Sequence, residues 1–205
     1  MIKARILSTV LLGCIVTGTA LAYVTMPARL MIVGSSDGSA LLRIDHGVQS
    51  PNSGAPPQPA HATVFRFDPA SKVYRTTGTF ALRNPIAPMT AMISDGAEFI
   101  VTCDDYKPMI GCTPNVVVVY RGSGEIVKAW SLEDIFSPAE IMRFGPFAMN
   151  VPLRPWRGDD VRFVTDSKGP AVWIPNGRTL PWLVDLRLDL ISLTFEKYPV
   201  REMDK

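Results

Sequence analysis

Ile93-Ser94-Asp95-Gly96-Ala97-Glu98-Phe99-Ile100-Val101 and, shortly after it, Val116-Val117-Val118-Val119-Tyr120-Arg121-Gly122-Ser123-Gly124-Glu125-Ile126-Val127-Lys128 decide the fold. The first piece reads as a strand, an Asp-Gly turn and a strand, because a glycine there supplies the positive φ that a tight hairpin turn requires. The second reads as a strand, a polar glycine-bearing turn and a return strand. Val116 to Val119 carries no polar side chain, so it is expected to be a central strand covered on both faces. The core expected from this stretch is Phe99, Ile100, Val117, Val119 and Ile126.

The layout of the second piece recurs on both sides. Phe65-Arg66-Phe67-Asp68-Pro69-Ala70-Ser71-Lys72-Val73-Tyr74-Arg75 is again a strand, a polar turn and a strand, and so is Leu183-Val184-Asp185-Leu186-Arg187-Leu188-Asp189-Leu190-Ile191-Ser192-Leu193. The spacings between the three are unequal, which excludes a strictly regular repeat array. Further runs rich in β-branched and aromatic residues lie at 30–33, 40–44, 161–165, 171–174 and 182–186. The only helix candidates are short, at 132–136 and 138–143. Ser131 and Ser137 stand as N-caps, with Asp134 and Glu140 three residues on, the capping-box spacing. The expected fold class is therefore all-β. Antiparallel hairpins form a small or incomplete β-propeller-like array, or alternatively a β-sandwich, with one or two short helices.

Strand pairs of the form Ser-Asp-Gly-x-x-x-x-Val (94–101) followed by Val-Val-Val-Tyr-x-x-x-Gly-Glu-x-Val (117–127) resemble blades of β-propellers. The resemblance covers residues 90–130 closely and 28–82 and 160–197 more loosely, without a tryptophan–aspartate blade signature. The whole chain is similar to uncharacterised exported bacterial proteins with such strand repeats. That likeness implies a fold and no activity.

Outside this β-rich body the chain carries an address. It has 205 residues, 47% of them hydrophobic and 20% charged, which suits one globular domain and excludes a disordered chain. Lys3 and Arg5 account for the whole formal excess of +2, and the first acidic residue is Asp37. The body is thus neutral, which removes the basic field that a nucleic-acid partner would need. Lys3 and Arg5, an apolar run from Ile6 to Val16 and the small pair Ala20 and Ala22 read as a signal peptide over 1–22, cleaved before Tyr23. Residues 23–205 are then a single β-rich domain with irregular loops at 49–59 and 144–160. An uncleaved anchor over 6–26 and lipidation at Cys14 are the alternatives; if the signal is cleaved, no stable membrane insertion is expected. All three place the body outside the cytoplasm, periplasmic or secreted. Cys103 and Cys112 then remain as an even pair around a short loop, and a structural disulfide between them is expected.

Chemistry-bearing patterns are few. Gly34-Ser35-Ser36-Asp37-Gly38 matches the G-x-S-x-G nucleophile elbow, but that elbow needs a helix after it. Here residues 40–44 read as the return strand of a hairpin, and His46 and His61 are the only histidines. Asp104 and Asp105, with Asn115 across the cysteine loop, are the weak candidates for a hard cation, although the spacing of a known calcium loop is absent. Otherwise no metal site and no cofactor are expected. Asp159 and Asp160 form a second acidic doublet, read as capping a turn. Trp156 and Arg157 combine a large apolar face with a forked donor, the residue types of interface hot spots, and are the candidate binding surface. The accompanying Arg157-Gly158-Asp159 tripeptide is short enough to arise by chance. No catalytic residue is assigned. The leading expectation is a non-catalytic exported module that recognises a protein, a glycan or an envelope component. A carboxylate-dependent enzyme of lyase or glycosidase type, or a structural envelope protein, is the alternative.

Overall fold

The computed structural model describes residues 30–47, 58–105, 110–144, 156–176 and 184–199. The segment 1–22 with Ala20 and Ala22, Tyr23, Cys14, and most of the loops 49–59 and 144–160 lie outside the described residues. Twelve strands are described: β1 Met31–Gly34, β2 Ala40–Asp45, β3 His61–Asp68, β4 Val73–Ala81, β5 Thr90–Ile93, β6 Phe99–Cys103, β7 Val117–Arg121, β8 Ile126–Trp130, β9 Arg162–Asp166, β10 Gly169–Ile174, β11 Val184–Asp189 and β12 Thr194–Pro199. They form three four-stranded antiparallel sheets, each a meander in chain order. The three hairpins recognised in the sequence are the third and fourth strands of the three sheets. The Ser-Asp-Gly turn of 94–96 joins the first and second strands of the middle one.

Cross-strand register explains how the sheets stack. In the middle sheet Met92, Val101 and Val119 stand in one row and face the third sheet, with Phe99, Val117 and Trp130. The rows between them, Ala91–Val118 and Ile93–Ile100–Tyr120, face the first sheet. Successive side chains of a strand point to opposite sides, so a run apolar at every position must be covered twice. Accordingly β6 is buried along its whole length and β7 at Val117, Val118, Val119 and Tyr120. Leu42, Ile44, Ala62 and Val64 of the first sheet meet one side, and Phe163, Val172, Leu188 and Phe195 of the third, a single cross-strand row, meet the other. The first and second sheets approach closely: a Cβ on Gly124, at φ 93° in the β7–β8 turn, would lie 2.4 Å from Cγ of Phe80 in β4, so only glycine fits there.

Ile126 departs from the expected core and is 44% exposed. It opens the outermost strand of its sheet, opposite a bulge between Val119 and Tyr120 that offsets its side chain from the buried rows. Phe99, Ile100, Val117 and Val119 are buried as expected. The two short helices, α1 Leu132–Ile135 and α2 Pro138–Arg143, each carry a complete capping box, Ser131 with Asp134 and Ser137 with Glu140. The expected Cys103–Cys112 bridge is corrected: the structure holds no disulfide between them. Cys103 ends β6 with its side chain inside the core between the second and third sheets, whereas Cys112 is half-buried. Desolvation pushes the Cys103 thiol up to about 12, which keeps it protonated and inert.

Candidate functional site

The first strand of each sheet is its innermost one, and β1, β5 and β9 meet around one open cavity of about 420 Å³. Val33 and Gly34 come from β1, Ala91, Met92 and Ile93 from β5, and Phe163, Val164 and Thr165 from β9, with Phe99 of β6 beside them. Convergence of first strands on a common centre is the arrangement of propeller blades and not that of two facing layers, so the fold is propeller-like with three sheets. Polar groups enter the lining from the strand ends as Ser36, Asp95, Glu98 and Arg162.

Two turns build the rim. Ser36 Oγ donates to Asp95 Oδ1 at 2.8 Å, the Asp37 backbone N–H donates to the same oxygen at 3.1 Å, and the Gly96 N–H donates to Ser39 Oγ at 2.7 Å. The two turns of the first and second sheets therefore lock into each other, and both depend on glycine at positive φ, Gly38 at 71° and Gly96 at 63°. Hydrogen bonds from the Ser39 hydroxyl and backbone, then from Ser35, hold the Asp37 carboxyl at about 2, so it is ionised at neutral pH. The G-x-S-x-G stretch is thus a hairpin turn followed by β2, and its Ser36 points at a carboxylate of a neighbouring turn. Glu98 pairs with Arg121 at 3.3 Å, and the Arg121 guanidinium lies 4.5 Å from the centre of the Phe99 ring. Arg162 pairs with Asp160, which with Asp159 is exposed.

The residues singled out in the sequence assemble elsewhere. Trp156 is fully buried and Arg157 is 8% exposed, so they are not the binding surface expected of them. The cause is Asp104, itself fully buried, whose carboxylate accepts from Trp156 Nε1 at 2.9 Å, Arg157 Nε at 2.8 Å and the Gly111 backbone at 2.9 Å. A buried charge needs a partner and filled lone pairs, and this cluster supplies both. It staples the segment at 156 and the cysteine loop to the end of β6. Asp104, Asp105 and Asn115, the weak cation candidates, are drawn into the same corner. Asp105 accepts from the Ala87 N–H, and the Asn115 carbonyl accepts from Asn84. No group of three or more potential metal ligands occurs among the described residues. Their structural use is in tying loops, and the polar groups of the cavity are a different set.

Sequence reading missed Glu98, Arg162 and Phe163 as site residues. The one available signal was the recurrence of a Ser-Asp-Gly turn at 36–38 and 94–96 after a short apolar strand, which marks first strands and hence the axis.

No family model matches the chain, and no curated protein matches it. Among solved structures it is similar to the periplasmic gluconolactonase of Pseudomonas aeruginosa, with 15% identity and a TM-score of 0.42. The match covers 82% of this chain and 44% of that one, so the chain spans less than half the length of that protein. The propeller-like assignment above rests on strand register and on the shared cavity.

Proposed function

We propose that the protein is an exported, non-catalytic recognition module that takes a small hydroxyl-bearing ligand, such as a glycan fragment, in the cavity where its three first strands meet. The observation that carries this reading is the composition of the cavity wall. An apolar surface of Val33, Met92, Phe163 and Val164 suits the C–H face of a sugar ring, while Ser36, Glu98 and Arg162 offer acceptors and donors around it. A volume of about 420 Å³ falls within the range of small-ligand pockets. Of the two acids in the lining, Asp95 is tied down, while Glu98, 68% exposed in its 3.3 Å pair with Arg121, stays open to a ligand. Asp95 accepts from Ser36 and from the Asp37 backbone, and Glu98 faces Arg121. A lyase or glycosidase working through carboxylates needs two acids free to face one bond from opposite sides.

A panel of soluble glycans, scored by shift in melting temperature and by product analysis, tests the reading. A bound glycan raises the melting temperature, and Glu98→Gln or Arg162→Ala weakens its binding by about tenfold or more, the worth of a charge-assisted hydrogen bond. Binding that ignores both substitutions would place the site elsewhere. Release of a cleaved product from any glycan would replace the recognition module with the enzyme.

A further inference from the structure

The three first strands run the same way, which gives the cavity they share two distinct ends. The finishing ends of β1 and β5 are tied by Ser36 and Asp95. The starts of β5 and β9 are tied by Asp104, which follows Cys103, the residue opposite Thr90, and holds Trp156 and Arg157 ahead of β9. Arg162 opens β9 and so lies toward the starting end, whereas Asp95 and Glu98 lie past the finishing end of β5. Between them runs the apolar wall with Met92 and Phe163. Charge is unbalanced at both ends. At the finishing end three carboxylates, Asp37, Asp95 and Glu98, stand against two guanidinium groups. Arg121 faces Glu98 at 3.3 Å, and Arg66 reaches the Ala97 carbonyl at 3.4 Å. Among the described residues Asp37 and Asp95 accept only from hydroxyl and backbone groups. At the starting end the exposed Asp159 and Asp160 stand against Arg162, because the neighbouring Arg157 is taken up by the buried Asp104. Each end thus holds one carboxylate more than cations, and Arg162, the one cation in the described lining, already faces Asp160.

We propose that the ligand of this cavity is an amino sugar, its protonated amine seated beside Glu98 and its ring face against Met92 and Phe163. The inference rests on the reading of the cavity as a glycan site and narrows it by charge. Glu98 is 68% exposed, and an ion pair in water such as the one it makes with Arg121 is worth little, so an incoming ammonium exchanges for it at small cost. An ammonium brings three donors to a carboxylate that can accept all of them. The carboxylates of the interlocked turns add to the same attraction without competing for the seat, since their oxygens are held by Ser35, Ser36 and the turn backbone. A sugar carboxylate meets the opposite situation. It would lie beside acids at either end, and like charges brought together oppose binding. A neutral sugar gains only the ordinary hydrogen bonds of its hydroxyls and so falls between the two.

Calorimetric titration with four disaccharides of one shape decides the matter: the glucosamine dimer, its N-acetylated form, cellobiose and cellobiuronic acid. The pH is held at about 6, where an amine of this type is protonated and the carboxylates are ionised. At low salt the glucosamine dimer is expected to bind about fivefold or more tighter than cellobiose, the most that one exposed pair supplies. The N-acetylated dimer, which has lost the charge, should match cellobiose, and cellobiuronic acid should bind weakest. The preference should fall toward parity at about 1 M salt, where charges are screened within about 3 Å. Glu98→Gln should abolish the preference, and Arg121→Gln should widen it, a gain that a misfolded variant cannot imitate. Equal affinity for the glucosamine dimer and cellobiose, or tighter binding of the uronate, would overturn this inference and leave the glycan reading standing. A preference that survives Glu98→Gln would overturn it as well, and so would spermidine binding as tightly as the glucosamine dimer, since the ring would then contribute nothing. Binding by none of the four disaccharides would remove the glycan reading and this inference together.

Discussion

At the scale of single residues, the side chain with most depending on it is Asp104. It sits at positive φ, 55°, just past the end of β6, and its two oxygens hold Trp156, Arg157 and the Gly111 N–H. Asparagine tolerates that backbone conformation and keeps the shape, but Asp104→Asn removes the charge and also replaces one of the two accepting oxygens with an NH2 that faces a donor. Arg157 is then left as a buried cation without its counter-ion, and breaking one partner of such a pair costs about 3–5 kcal/mol. Urea unfolding at neutral pH measures this directly; a loss within experimental error of zero would mean that water reaches Arg157. The same corner shows where residue-level reading of the sequence stops. Trp156 and Arg157 look like surface anchors in their own context. Their partner is 52 and 53 residues away, and nothing local announces it. Cys103 was misjudged for a related reason. Spacing from Cys112 invites a bridge, yet its place at the end of a two-sided buried strand turns the thiol into the core.

At the scale of elements, the last hairpin of the first and third sheets uses one turn twice. Asp68-Pro69-Ala70-Ser71-Lys72 and Asp189-Leu190-Ile191-Ser192-Leu193 each begin with an aspartate whose carboxylate accepts from the following backbone N–H groups or serine hydroxyl. Each ends with a residue at positive φ, Lys72 at 57° and Leu193 at 56°, whose N–H returns to the aspartate carbonyl. The Asp68 carboxyl falls to about 2, first through the Ser71 hydroxyl and then through Arg75. The Asp189 carboxyl falls to about 2 as well, first through the Ser192 N–H. Folded values below the ordinary 3.8 mean that the folded state favours the ionised form. The stabilisation is complete above that value and is lost as pH falls through the window down to about 2. The double variant Asp68→Asn/Asp189→Asn is therefore expected to be less stable than the wild type at neutral pH and to converge with it in acid. Denaturant midpoints taken across the acid range check this. A gap that stays constant with pH would assign the loss to shape and not to charge.

These hairpins were legible because turn chemistry is local. The capping boxes of α1 and α2 were legible for the same reason, and so was the two-sided burial of β7, which only an uninterrupted apolar run can satisfy. β5 was the element hardest to see. Thr90-Ala91-Met92-Ile93 is four residues long and shows no alternation, since it too is covered on both sides. It could be inferred only as the arm ahead of the Asp-Gly turn.

At the scale of the whole molecule, three meanders stand side by side with their first strands innermost, and the middle one is enclosed by the other two. The cavity is a product of this scale. Its walls come from strands far apart in the chain, each unremarkable alone, so apart from the repeated Ser-Asp-Gly turn at 36–38 and 94–96 nothing along the sequence marks it. The arrangement also sets an order of local stability, because amides exchange with solvent most slowly where burial is deepest. Backbone hydrogen exchange read by mass spectrometry tests the central claim, that the second sheet is the middle of a propeller-like fan. The account predicts the slowest exchange in Phe99–Cys103 and Val117–Arg121, at the rate of global unfolding, and much faster exchange in the exposed outer strand Val73–Ala81. Exchange in the second sheet as fast as in the outer strands of the first and third would contradict it, because a sheet covered on both faces cannot be opened without unfolding its neighbours.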